Sequence, residues 1–114
     1  MPKKLIRTKI VSRLLPHEVE VITDKNELNE LFALKVLEEL AEVQRSRCED
    51  ISEFSDLLEV VKAWAALNGF GANLLKNAKI LKENRCGVFT NIALNNLNPD
   101  NPSNALYFQQ DEAI

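Results

Sequence analysis

Two short acidic clusters sit inside otherwise apolar helical patterns, Glu38-Glu39-Leu40-Ala41-Glu42 and Glu53-Phe54-Ser55-Asp56. With about 100° between successive side chains of a helix, Glu39 and Glu42 fall roughly 60° apart, on the side that carries Leu28, Leu31, Phe32, Val36 and Val43. The second stretch repeats this. Glu53 and Asp56 share a face with Leu57, Val60, Ala63, Trp64 and Leu67, while Glu59 and Lys62 turn the other way. An ionised carboxylate aimed at a core is costly unless it is paired or metal-bound, and four of them together repel one another without a cation. Hard oxygen donors suit Mg²⁺, Mn²⁺ or Ca²⁺ better than zinc, and Mg²⁺ keeps waters and takes substrate phosphates as further ligands. The pattern points to a carboxylate metal centre working on phosphates. The competing reading is a set of ion pairs, since Lys35 shares the face of Glu39 and Glu42.

The elements that must position these acids are two consecutive helices. Asp24 with Glu27 three residues on is a capping signal, and a long helix follows over 28–45 with apolar positions around most of its circumference. Such wide coverage in a small chain predicts burial on several sides, one of them against another subunit. The polar link 46–50 is short, Asp50 and Glu53 give a second capping signal, and the next helix starts near Ile51 or Ser52 and stops at Asn68-Gly69. A short link implies antiparallel neighbours, which brings Glu39 and Glu42 beside Glu53 and Asp56. A third helix runs through Leu74, Ala78 and Leu81, with Lys76, Lys79 and Lys82 on its outer face.

Outside this region the pattern is mixed. A helical turn is expected around 11–15, broken by Pro16, and the alternation Glu18-Val19-Glu20-Val21 suggests a short edge strand. His17, the only histidine, reads as a surface residue. Val88-Phe89-Thr90-Asn91-Ile92-Ala93-Leu94 suggests a loop and a short strand. Beyond Asn95, Asn98-Pro99 and Asn101-Pro102 mark turns in a loosely ordered tail, 95–114. Leu106-Tyr107-Phe108-Gln109 is a candidate for docking on a neighbouring subunit.

At 114 residues the chain suits one domain, here 1–94, and 46% hydrophobic with 27% charged residues argues against global disorder and against a disulfide scaffold. No apolar run is long enough for a membrane span and no signal peptide is apparent, so the expectation is a cytoplasmic protein with no membrane partner. Cys48 and Cys86 lack a neighbouring cysteine and read as reduced, structural thiols. A net charge of −3 disfavours nucleic acid as a partner and leaves small anions possible where cations are local.

The ordered pair Glu38-Glu39-x-x-Glu42 and Glu53-x-x-Asp56 resembles the metal signature of the all-α nucleoside triphosphate pyrophosphohydrolases, the MazG-like superfamily. Lys4-Leu5-Ile6-Arg7-Thr8-Lys9-Ile10, Asp56-Leu57-Leu58-Glu59-Val60 and Gly87-Val88-Phe89 are similar to segments of its phosphoribosyl-ATP pyrophosphohydrolase-like branch. The chain departs from that branch at Thr8 (usually Asp), Cys86 (usually Arg, with Arg85 one place earlier) and Val88 (usually Gly).

The resemblance implies an all-α fold: an antiparallel helical hairpin or bundle with an acidic metal site, short extended segments near both ends, and a homo-oligomeric state, dimer or tetramer. It implies Mg²⁺-dependent hydrolysis, with Mn²⁺ as a substitute, of a nucleotide to its monophosphate and pyrophosphate. Glu39, Glu42, Glu53 and Asp56 would hold metal, and Glu38 would complete a second metal site or accept the proton of the attacking water. Arg7, Lys9, Lys35, Lys82 and Arg85 are the candidate phosphate-binding residues. Trp64 reads as core rather than as a platform for a base. The alternatives are phosphoribosyl-ATP hydrolysis and a non-catalytic helical module that binds nucleotide or a partner.

Overall fold

Asp24 and Asp50 set where the two long helices begin. In the computed structural model, which describes residues 3–90 and 93–105, the Asp24 carboxylate accepts from the Glu27 amide and opens α2, Lys25–Arg45. Asp50 accepts from the amide and hydroxyl of Ser52 and opens α3, Ile51–Leu67. Each cap satisfies an amide that the first helical turn leaves unpaired. Asn68 and Gly69, the latter at φ +88°, end α3 in the left-handed geometry that glycine adopts freely. A four-residue helix α1, Thr8–Val11, precedes these, and α4, Ala72–Cys86, follows them.

The molecule is all-helical, with no strand among the described residues. The edge strand expected at 18–21 does not form: Pro16–Glu18 is a single 3-10 turn, and Val19 onward is extended chain without a pairing neighbour. Alternation of Glu and Val records a half-buried strand only where a second strand supplies the ladder. In the second expected strand Val88, Phe89, Thr90, Ala93 and Leu94 form none, and Asn91 and Ile92 lie outside the described residues. Leu106 to Gln109 also lie outside them.

The chain divides into two units, residues 1–81 and 82–114. In the first, α2 against α3 is the one helix pairing among the described residues. Phe32 stacks on Trp64 with ring centroids 6.5 Å apart and planes 6° from parallel. Asn29 Oδ1 accepts from Trp64 Nε1 at 2.7 Å and from Asn68 Nδ2 at 2.8 Å. Trp64 is thus part of the helix contact, half-buried there rather than enclosed in a core. Asn29 of α2 bonds residues 64 and 68 of α3, and the Glu39 carboxylate lies within 4.8 Å of those of residues 53 and 56.

Burial on several sides of α2 is not found in the single chain. Val43 is the one buried apolar side chain among the described residues, while Leu34, Leu37 and Leu40 on α2 are exposed. Both cysteines are free, as expected, but exposed rather than packed inside, and His17 is at the surface.

In the second unit, asparagines organise the chain. The side-chain oxygens of Asn95, Asn98 and Asn101 each accept from the amide two residues on, making successive Asx turns. Buried Asn104 ties them together, accepting from Asn95 Nδ2 and donating to the Asn98 carbonyl.

The link between α2 and α3 carries backbone strain. Arg47 and Cys48 hold φ values of 57° and 60°, the left-handed region where a Cβ is crowded. The Cys48 amide bonds to the Val43 carbonyl at 3.0 Å, which holds the link in place. Since Cys48 is exposed, Cys48→Gly should remove strain without losing packing. A gain of about 0.5–1 kcal/mol in urea unfolding is expected.

Candidate metal centre

One carboxylate oxygen from each of Glu39, Glu53 and Asp56 lies within 4.8 Å of the other two. Glu39 comes from α2; Glu53 and Asp56, three residues apart on α3, project from one face and meet it. All three are half-buried. Three convergent hard oxygen donors are the kind that Mg²⁺ or Mn²⁺ takes, an ion that commonly draws its other ligands from water and phosphate. The residues present therefore suit the metal that the sequence pattern implied.

Their surroundings differ. Asp56 Oδ1 accepts from Arg7 Nη2 at 2.7 Å, and Arg7 Nη1 bonds Glu59 Oε2 at 2.7 Å. Glu39 lies 3.5 Å from Lys35 Nζ. Glu53 has no ion-pair partner among the described residues. Partial burial, then the charges of Glu42, Asp50, Asp56 and Glu39, push its carboxyl above the ordinary glutamate value. Glu53 is the acid with the most to gain from a cation.

Glu42 does not join the triad. Its carboxylate turns to Arg45 Nη1 at 2.6 Å, one turn further along α2, although it stays near enough to Glu53 to disfavour that group's charge. Glu38 also stands aside, bonded to Lys35 Nζ at 3.0 Å and to Lys4 Nζ at 3.2 Å. The Lys35 hydrogen bond, seconded by Lys4, holds its carboxyl below the usual range. The ion-pair reading of the acidic face is thus partly realised: Lys35 does bond the acids around it, but to Glu38 and Glu39 rather than Glu42.

Beside the triad lies a cleft of about 480 Å³ between the chain around Arg7, α2 and α3. Phe32, Val60 and Ala63 give it an apolar wall, while Arg7, Lys9 and Lys35 bring cations to it. Its volume is in the range of small-molecule sites, and its mixture of apolar wall and few charged groups is typical of them. Three of the five basic residues picked out in the sequence therefore meet at one place. Lys82 and Arg85, on the last turns of α4, belong to the second unit and are exposed.

Comparison with family models, with curated proteins and with solved structures finds no match. The functional reading therefore rests on the geometry of the site and on the sequence pattern.

Glu59 was missed in the sequence. It was expected to turn away from the acids, yet it holds Arg7 at the edge of the cleft. Glu53, Asp56 and Glu59 succeed one another at i+3, each about 60° further round the helix. Glu59 is remote from Glu53 but adjacent to Asp56, and the Glu-x-x-Asp-x-x-Glu spacing carried that signal.

Proposed function

We propose that the protein hydrolyses a nucleotide to its monophosphate and pyrophosphate with Mg²⁺ or Mn²⁺ held by Glu39, Glu53 and Asp56. The observation that carries this reading is the convergence of those three carboxylates beside a cleft that gathers Arg7, Lys9 and Lys35. Acids that hold a divalent ion and bases that hold phosphate are the two requirements of phosphoanhydride chemistry. When bound, the metal supplies neutralisation of charge on the phosphate oxygens and a more acidic water. Arg7, Lys9 and Lys35 bind and orient the phosphate chain, and the Phe32, Val60 and Ala63 wall takes the less polar part of the ligand. Water attacks the α-phosphorus, the bond from that phosphorus to the bridging oxygen breaks, and pyrophosphate departs with the bonding pair. On this reading, as the sequence resemblance implies, Glu38 takes the water's proton. Its pairing with Lys35 weakens it as a base, so this role begins once substrate phosphate draws Lys35 away.

The test is pyrophosphate release from a panel of canonical, modified and damaged nucleotides together with phosphoribosyl-ATP, with and without Mg²⁺ or Mn²⁺. Metal-dependent release from at least one member is expected, and that member names the branch of chemistry. No release from any, by folded protein, would overturn the reading. A second reading has one observation in its favour. Arg7 and Lys35 already neutralise Asp56 and Glu39, which suits a non-catalytic module that binds nucleotide without turnover. Calorimetric nucleotide binding with no hydrolysis would favour it.

We also propose that the working form is a homo-oligomer. On α3, Ile51, Phe54, Leu58 and Val61 are exposed at the three-and-four spacing that packs helix against helix. With Val43 alone buried among the described apolar side chains, one chain has little core of its own. Light scattering should give at least twice the chain mass, and Leu58→Glu should lower it. A monomer mass for the unaltered chain would rule the oligomer out.

A further inference from the structure

We infer that Arg7 is an internal counter-ion that competes with metal for Asp56, and that Glu59 is the residue that retains it when metal binds. This rests on the metal reading above and adds a coupling between the amino-terminal arm and the metal centre.

One guanidinium spans two carboxylates, 2.7 Å from each. Of the two, only Asp56 belongs to the triad. Arg7 stands just before α1, in extended conformation at φ −70°, ψ 153°, so a short run of non-helical backbone carries the charge to α3. The same arm is fastened by Lys3 to Glu20 at 2.8 Å and by Lys4 to Glu38 at 3.2 Å. These contacts are surface pairs, individually weak and readily exchanged. A divalent ion on Glu39, Glu53 and Asp56 would place a cation beside the Arg7 guanidinium. Like charges at that separation repel, and Asp56 could not serve both without loss. Glu59 offers an exit that costs little: Arg7 gives up one hydrogen bond, keeps the other, and remains at the edge of the cleft where substrate phosphate arrives. The fork of an arginine suits this exchange, because it can hold a carboxylate with one nitrogen while the other turns to a new acceptor. Metal binding and arm fastening are therefore antagonistic, and by linkage each weakens the other by the same factor.

The experiment is calorimetric titration of Mn²⁺ alone into the nucleotide-free full chain, its Arg7→Gln and Glu59→Gln variants, and amide exchange of residues 3–11 with and without Mn²⁺. Arg7→Gln should bind Mn²⁺ about fivefold tighter, the low end for coupled sites because both partners are partly exposed. Glu59→Gln should bind it no tighter than the unaltered chain, and more weakly if Arg7 then closes on Asp56. Mn²⁺ should speed exchange in residues 3–11 of the unaltered chain and leave Arg7→Gln unchanged. Should Arg7→Gln lose its helical signal, Arg7→Lys, which keeps the charge but cannot span both acids, should bind about twofold tighter. Equal or weaker Mn²⁺ affinity in folded Arg7 variants would overturn the competition while leaving the metal centre standing. No saturable binding in any variant would overturn both.

Discussion

Glu53→Gln is expected to lower metal-dependent pyrophosphate release by roughly 10²- to 10³-fold while leaving the metal-free protein at least as stable near neutral pH. The two effects have one cause. Glu53 is the triad member with no described ion-pair partner, and its carboxyl is pushed up by burial and by four neighbouring acids. A carboxyl whose folded pKa is raised favours the folded state in its protonated form, so its contribution to stability is present at low pH and is lost as pH rises through the folded value. Glutamine keeps the neutral form at every pH. The advantage of Glu53→Gln in metal-free unfolding should therefore be small at about pH 4 and grow toward about pH 7. Glu38 acts oppositely: its pKa is lowered by Lys35 and Lys4, so its contribution is present above the unfolded value and is lost as pH falls through the folded one. Comparing variant with parent at each pH cancels that background. A structural ion-pair network would respond otherwise, with no gain at neutral pH and no link to metal.

Trp64→Ala should be the most damaging single change to the fold, costing about 2–4 kcal/mol in urea unfolding, somewhat less than a fully buried tryptophan because this one is half-buried. It removes the stacked partner of Phe32 and the donor to Asn29 at once. Trp64→Phe should cost only about 1 kcal/mol, since a ring still faces Phe32 and Asn29 Oδ1 keeps the Asn68 donor. Because Phe32 also lines the cleft, Trp64→Ala should also raise KM. Equal losses from the two variants would mean that the hydrogen bond, not the ring, fastens α2 to α3.

The helices were legible because their signals are local. Asp24 and Asp50 as caps, and Asn68-Gly69 as a stop, act within one turn, and the apolar period needs no partner to be read. The strand expected at 18–21, and that at 88–94 over its described residues, were misread for the converse reason: alternation implies a ladder only if a second strand exists, and nothing local says whether it does. In the site, helical phase placed Glu39, Glu53 and Asp56 on facing sides, which the structure bears out in their convergence. It could not foresee that Glu42 would be taken by Arg45, since both orientations lie within reach of one flexible side chain. Nor could it see Arg7 reaching Asp56 and Glu59 across 49 and 52 residues. That long-range pairing is set by the path of the arm, while the i+3 step from Asp56 to Glu59 was there to be read. No helix among the described residues is long and apolar enough to cross a membrane.

The central claim is that Glu39, Glu53 and Asp56 hold a divalent ion, and paramagnetic resonance of Mn²⁺ added to the nucleotide-free chain tests it directly. Protein should remove the sharp signal of the free aqueous ion in a saturable manner, Mg²⁺ in excess should restore it, and Glu53→Gln should fail to remove it. An undiminished free-ion signal with folded, unaltered protein would contradict the claim.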